Sequence, residues 1–262
     1  MNPPGECTLP APRVGLFVTC LANVFRPGVA ESTVRLLQAA GCTVEVPLNQ
    51  SCCGQPGYNA GAIAAAKPLA RQLITSFEPF DYLVAPSGSC AGMIAYHYPK
   101  LFADEPAWQA RALALAAKAH EITQFLVDVL GWNATPQHTP TPRRFTYHDS
   151  CAGLREMGIK AQPRKLLGDI GATLKEMQGT EVCCGFGGTF CAKLPDISLA
   201  MADEKIGHAL ASGADTLVGG DLGCLLHLAG RIAERGLALE VRHVTEVLDG
   251  TLESPALGSG PR

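Results

Sequence analysis

The chain has 262 residues, 47% of them hydrophobic and 17% charged, with a formal net charge of −3. That length supports one large domain or two small ones with a real core. The charge offers no electrostatic reason to expect nucleic acid or an anionic membrane surface. No apolar run reaches the roughly 18 residues of a spanning helix. The start, "MNPPGECTLPAPRVGLFVTC", lacks a basic segment followed by a long apolar run. It reads as neither signal peptide nor anchor, and a cytoplasmic location is expected.

In chain order, "RVGLFVT" (13–19) is an apolar strand ending at Cys20. "ESTVRLLQAAG" (31–41) is an amphipathic helix stopped by Gly41, and "TVEVP" (43–47) a strand leading to Cys52 and Cys53. A helix is predicted over 60–77, with Pro68 as a kink or break. "YLVAP" (82–86) is a short buried strand leading to Cys90. Residues 107–131 read as a helical stretch, 132–144 as a Pro/Thr-rich linker and 251–262 as a loose tail.

The second half repeats the first. Cys20, Cys52 and Cys53 recur 131 residues on as Cys151, Cys183 and Cys184, and Cys90 recurs at Cys224 after three inserted residues. "DYLVAPSGSC" (81–90) matches "DTLVGGDLGC" (215–224), and "ITQFLVDVLG" (122–131) matches "VTEVLDG" (244–250). The expected fold is α/β: two tandem, related βαβαβ halves, 1–140 and 141–262, each with a parallel sheet, in a pseudo-two-fold arrangement. Such sheets hold ligands beyond the carboxyl ends of their strands. Every repeated cysteine follows a strand end, so three loops would gather four thiols at one edge.

Eleven cysteines are an odd number for a disulfide framework, and a reducing compartment disfavours stable disulfides. Adjacent cysteines rarely bridge each other. Metal ligation or redox chemistry is the stronger reading. One set is Cys20, Cys52, Cys53 and Cys90; the other is Cys151, Cys183, Cys184 and Cys224. Four thiolates suit zinc or an iron–sulfur cluster. No C-x₂₋₄-C zinc knuckle is present, whereas adjacent cysteines can reach different irons of one cluster. Gly54 and Gly185 would let the backbone turn close to the inorganic sulfurs.

The pattern Cys-x₃₁-Cys-Cys-Gly-x₃₅-Cys, used again with three more residues before its last cysteine, resembles the cysteine-rich CCG domain. That family includes the cysteine-rich component of heterodisulfide reductase, the iron–sulfur subunit of glycolate oxidase and lactate-utilisation protein A. "PSGSC" (86–90), "YHDSC" (147–151) and "CCGFGGTF" (183–190) look most like the lactate-utilisation branch. The resemblance implies one iron–sulfur cluster per half, of 4Fe–4S type, with zinc as a possible substitute. It implies an electron-transfer component of an L-lactate-oxidising complex whose partners include a ferredoxin-type iron–sulfur protein. Ser87 and Asp221 stand where the five-cysteine relatives carry a further cysteine, as oxygen ligands or hydrogen-bond partners of cluster sulfur. A thiol/disulfide reductase and a zinc-stabilised assembly module are the alternatives. No ferredoxin-type run and no dinucleotide-binding glycine loop after a strand is present. Cys7, Cys42 and Cys191 have no counterpart and read as incidental. His148 is a donor to sulfur or a buried strand-end residue, and His227 lies a turn beyond Cys224. The other histidines read as structural, and Arg155 and Lys193 as solvated charges.

Overall fold

A computed structural model of the chain describes residues 11–135 and 143–259. Cys7 and most of the predicted linker lie outside them. Among the described residues, eight strands form two all-parallel sheets: β1 (Arg13–Leu16), β2 (Thr43–Glu45), β3 (Tyr82–Ala85) and β4 (Ala119–Glu121) in one, and β5 (Arg144–His148), β6 (Thr173–Leu174), β7 (Thr216–Gly219) and β8 (Glu240–His243) in the other. The sheet orders are β2-β1-β3-β4 and β6-β5-β7-β8, the same winding twice. The α/β reading with two tandem halves therefore stands.

Each half has one strand more than βαβαβ. The stretch 107–131 is not one helix. A helix over Pro106–Ala116 ends, the chain enters β4 beside β3, and helical turns resume at Ile122. The second half does the same at β8, followed by helix Val244–Leu248. "ITQF" and "VTEV" match because both begin a helix after a fourth strand. Glu121 caps the first of these by accepting the Thr123 and Gln124 N–H groups, and His243 caps the second by accepting from Thr245.

Other boundaries also move. The helix predicted over 60–77 begins later, at Ile63, and runs unbroken through Pro68 to Phe77; a separate short helix, Gln55–Asn59, precedes it. Gly61, at φ +77°, separates the two. Pro68 removes one backbone donor, and the buried face of Ala66, Ala70, Leu73, Ile74 and Phe77 holds the helix in place around it. The helix predicted over 31–41 begins earlier, at Pro27. The tail is docked through Leu257, whose N–H donates to the Val241 carbonyl at 3.0 Å.

The two halves share a core. Val14, Leu36, Val84, Ile122 and Phe125 of the first half cluster with Phe145, Leu166, Val218, Val244 and Leu248 of the second. Helix Pro27–Ala39 packs on Val244–Leu248, and helix Ala161–Asp169 packs on the turns after β4. Helix Cys20–Phe25 touches helix Leu222–Glu234, while the turn Gly88–Gly92 touches helix Cys151–Arg155. Each contact recurs with the halves exchanged, as a pseudo-two-fold relation requires. The seam is close. A Cβ on Gly88 would lie 2.7 Å from the Gly153 Cα, so this crossing needs glycine.

Candidate metal centre

The strand ends place the cysteines. Cys20 and Cys151 open the helices after β1 and β5, capped by Thr19 and Ser150. Cys90 and Cys224 lie in the first turn after β3 and β7, three residues past Ser87 and Asp221. The adjacent pairs sit in the loops after β2 and β6. There Gly54 and Gly185 hold φ of +83° and +89°, so the chain reverses just past each pair. Tyr98, fully buried, donates to the Cys53 carbonyl at 2.8 Å and fixes the first loop. Ser198 does the same for the second, donating to the Gly185 carbonyl at 2.8 Å.

Within each set the thiols interact in the same sequence. Cys20 meets Cys52, Cys52 meets Cys53, and Cys53 donates to Cys90 with sulfurs 3.6 Å apart. Cys151, Cys183, Cys184 and Cys224 repeat the order. Hydrogen bonds from Cys20 and Cys53 pull the Cys52 thiol down to about 2, with the Gly54 N–H helping. Cys151, Cys184 and the Gly185 N–H do the same for Cys183, also to about 2. The flanking thiols are raised, because each shares its proton with a thiolate neighbour and is partly desolvated. Each set is thus poised to hold at least one thiolate. A cation at its centre would favour deprotonation of the others.

All eight cysteines line one cavity of about 540 Å³ between the halves. All ten cysteines among the described residues are free thiols. The two sets therefore face a common space, which the sequence did not reveal. Soft sulfur donors in fours, turned inward past glycines, are a chemically suitable set for a thiophilic metal or an iron–sulfur cluster.

The fifth positions meet across the seam. Asp221 is buried and accepts the Ser89 N–H at 2.9 Å and the Ser87 hydroxyl at 3.4 Å. Burial raises its pKa, which these hydrogen bonds partly offset. Ser87 also caps the turn that carries Cys90. Each half's fifth-position residue therefore bonds to the other half.

His148 ends β5 with 1% exposure, and neither ring nitrogen has a hydrogen-bond partner. A ring nitrogen and the sulfurs of Cys184 and Cys224 all lie within 4.8 Å of one another. The Thr180 carbonyl faces the ring outside hydrogen-bond geometry and accepts from Lys205 and the Asp149 N–H. Burial lowers the imidazole to about 3, so it is neutral and keeps one N–H. His227 turns away and bonds Ser198 at 3.2 Å. Cys191 donates to the Gly188 carbonyl and does not line the cavity. Arg155 lines the cavity, whereas Lys193 is exposed outside it. Lys205 was not singled out from the sequence. It is 1% exposed and donates to the Gly179 and Thr180 carbonyls at 2.5 and 3.0 Å. A lysine within an otherwise apolar helix face was its available signal.

The fold and the paired thiol sets define a duplicated cysteine-rich protein. The chain belongs to the cysteine-rich CCG domain family, which it matches twice, over residues 14–95 and 145–229. Its relatives are more particular. It is 47% identical over 241 residues to Lactate utilization protein A of Exiguobacterium sp., covering 91% of this chain and 97% of that protein. It is 45% identical over 238 residues to Lactate utilization protein A 1 of Bacillus cereus, covering 90% and 98%. Among solved structures, a hypothetical protein from Helicobacter pylori shares the fold, with a TM-score of 0.62 at 12% identity. The match covers 95% of this chain and 52% of that one.

Proposed function

We propose that this chain is the iron–sulfur electron-transfer component of a cytoplasmic complex that oxidises L-lactate or a related 2-hydroxy acid. Cys20, Cys52, Cys53 and Cys90 hold one cluster, and Cys151, Cys183, Cys184 and Cys224 hold the other. The observation that carries this reading is the shared cavity: eight free thiols, in two like sets, open into one space. The names of the relatives supply the substrate class. No described helix is long and apolar enough to cross a membrane.

A bound cluster supplies one-electron acceptance and release at each set. The protein's own residues do the rest. Cys52 and Cys183 offer the most readily formed thiolates, and the glycines beside them admit the backbone closely. Cys53 and Cys184, at 3% and 1% exposure, keep one ligand of each set out of water. The chain carries no ferredoxin-type cysteine run, so electrons pass to and from partner subunits, one of them of ferredoxin type.

The test is anaerobic reconstitution with iron and sulfide, followed by metal analysis and electron paramagnetic resonance before and after reduction. Two clusters per chain are expected, with one lost in Cys52→Ser and the other in Cys183→Ser. A colourless preparation that takes up no iron refutes the proposal. Stoichiometric zinc without redox activity supports an assembly module instead.

A further inference from the structure

The two sets are alike in their thiols but differ in what stands behind them. In the first half, Phe17 follows β1 at the place that His148 holds in β5, counting back from Cys20 and Cys151. Phe17, Leu73 and Phe77 form one buried apolar cluster with Cys53, and Phe17 and Phe77 meet edge to face at 5.9 Å. In the second half, the buried residues of helix Pro195–Ala211 repeat those of Ile63–Phe77 at a constant interval. Ser198, Ala202, Lys205, Ile206 and Ala209 answer Ala66, Ala70, Leu73, Ile74 and Phe77. Lys205 thus takes the place of Leu73, and His148 that of Phe17. Two apolar side chains are replaced by a cation and an imidazole, both 1% exposed.

Neither polar group is consumed by a local partner that cancels it. His148 has two unpartnered ring nitrogens beside Cys184 and Cys224. Among the described residues, Lys205 meets only backbone carbonyls, and no carboxylate pairs with it. Asp149, the nearby acid, is held by both Arg164 nitrogens at 2.8 and 2.9 Å, so its charge is answered elsewhere. Burying an uncompensated ammonium and an unbonded imidazole is costly. A site that carries negative charge in front of them offsets that cost, because added electrons at thiolate-bound metal are stabilised by a nearby cation and by N–H donors to sulfur.

We infer that His148 and Lys205 are positioning residues that make the second centre the more easily reduced of the two, so that electrons entering at the first centre collect at the second. This rests on the iron–sulfur reading and adds a direction to it. The arrangement is one-sided by construction, since the first centre is backed by Phe17 and Leu73.

The experiment is a redox titration of the reconstituted full chain, followed by electron paramagnetic resonance, with iron and sulfide measured on each sample. Cys52→Ser and Cys183→Ser assign the two signals. The parent should show two separate midpoints, the higher from the second set. Replacing His148 or Lys205 by the first half's residue, as His148→Phe and Lys205→Leu, should lower the second midpoint and leave the first unmoved. At least a tenfold change in reduction equilibrium is expected for each, about 59 mV for one electron. Lys205→Met, which keeps the stem, should match Lys205→Leu. A single common midpoint, or variants whose second midpoint does not move, overturns the inference while leaving the clusters in place. Variants that lose iron from the second set, with unchanged midpoints in whatever remains loaded, make the pair merely structural and also overturn it. A parent that binds no iron overturns both this inference and the reading beneath it.

Discussion

The same glycine stands after both cysteine pairs, yet the two sites do not have equal room. Gly54 and Gly185 share the left-handed backbone, at φ +83° and +89°. An alanine there costs about 1–2 kcal/mol in backbone strain. At Gly54 that is nearly the whole cost, because an added Cβ would lie 3.5 Å from the Ala66 carbonyl oxygen, an ordinary contact. At Gly185 the added Cβ would lie 2.4 Å from the Ser198 carbonyl oxygen and 3.1 Å from the Met201 Cβ. Backbone must move there, and it is tethered, since Ser198 bonds both the Gly185 carbonyl and His227. Overpacking of this kind adds about 1–3 kcal/mol. With about 2–4 °C of melting temperature per kcal/mol for domains of 150–250 residues, Gly54→Ala should lose roughly 2–8 °C and Gly185→Ala roughly 4–20 °C. Thermal unfolding followed by circular dichroism reads the difference. Metal uptake at the second set should fall in Gly185→Ala, while Gly54→Ala leaves it intact. Equal melting losses in the two variants, or a larger loss in Gly54→Ala, would refute the packing reasoning.

Two further outcomes test the seam. Glu121 is buried, and burial, with Asp221 near, raises its carboxyl to about 7 from an ordinary 4.5. Between those values the folded chain keeps a proton that the unfolded chain has lost. Its contribution is undiminished below pH 4.5 and falls as pH rises through 7, by about 3 kcal/mol in all. Glu121→Gln should remove that slope and gain stability over the parent at pH 8 but not at pH 4.5, as denaturant melts at the two pH values would show. Asp221→Ala leaves the Ser89 N–H without its acceptor, at a cost of about 1–3 kcal/mol. Although Asp221 belongs to the second half, this variant should weaken metal uptake at the first set, through the turn that carries Cys90. Retention of full iron at both sets would count against that coupling.

Much of the molecule was legible in one dimension. The duplication, the parallel α/β alternation and the eight cysteines that line the cavity all follow from pattern and spacing. Apolar runs ending at cysteines mark strand ends, and glycine after a cysteine pair marks a reversal. The fourth strands were hidden for a physical reason. "AHE" (119–121) has no β-branched residue and sits between helical runs, so only pairing with β3 makes it a strand. Pro68 misled because one missing backbone donor does not end a helix whose buried face is packed along its length. The helix starts later than its pattern suggests because of Gly61, whose left-handed backbone keeps the residues before Ile63 out of it.

By itself, the sequence determined which atoms are available: two sets of four thiols, repeated in order, each beyond a strand end. Only the tertiary structure decided that both sets face one cavity, that Asp221 reaches the first half's Ser87 and Ser89, and that His148 and Lys205 lie buried behind the second set alone. These facts depend on contacts between residues more than twenty, and often more than a hundred, positions apart. Local propensity acts over a few residues, whereas burial and electrostatic environment are set by whatever the fold brings alongside.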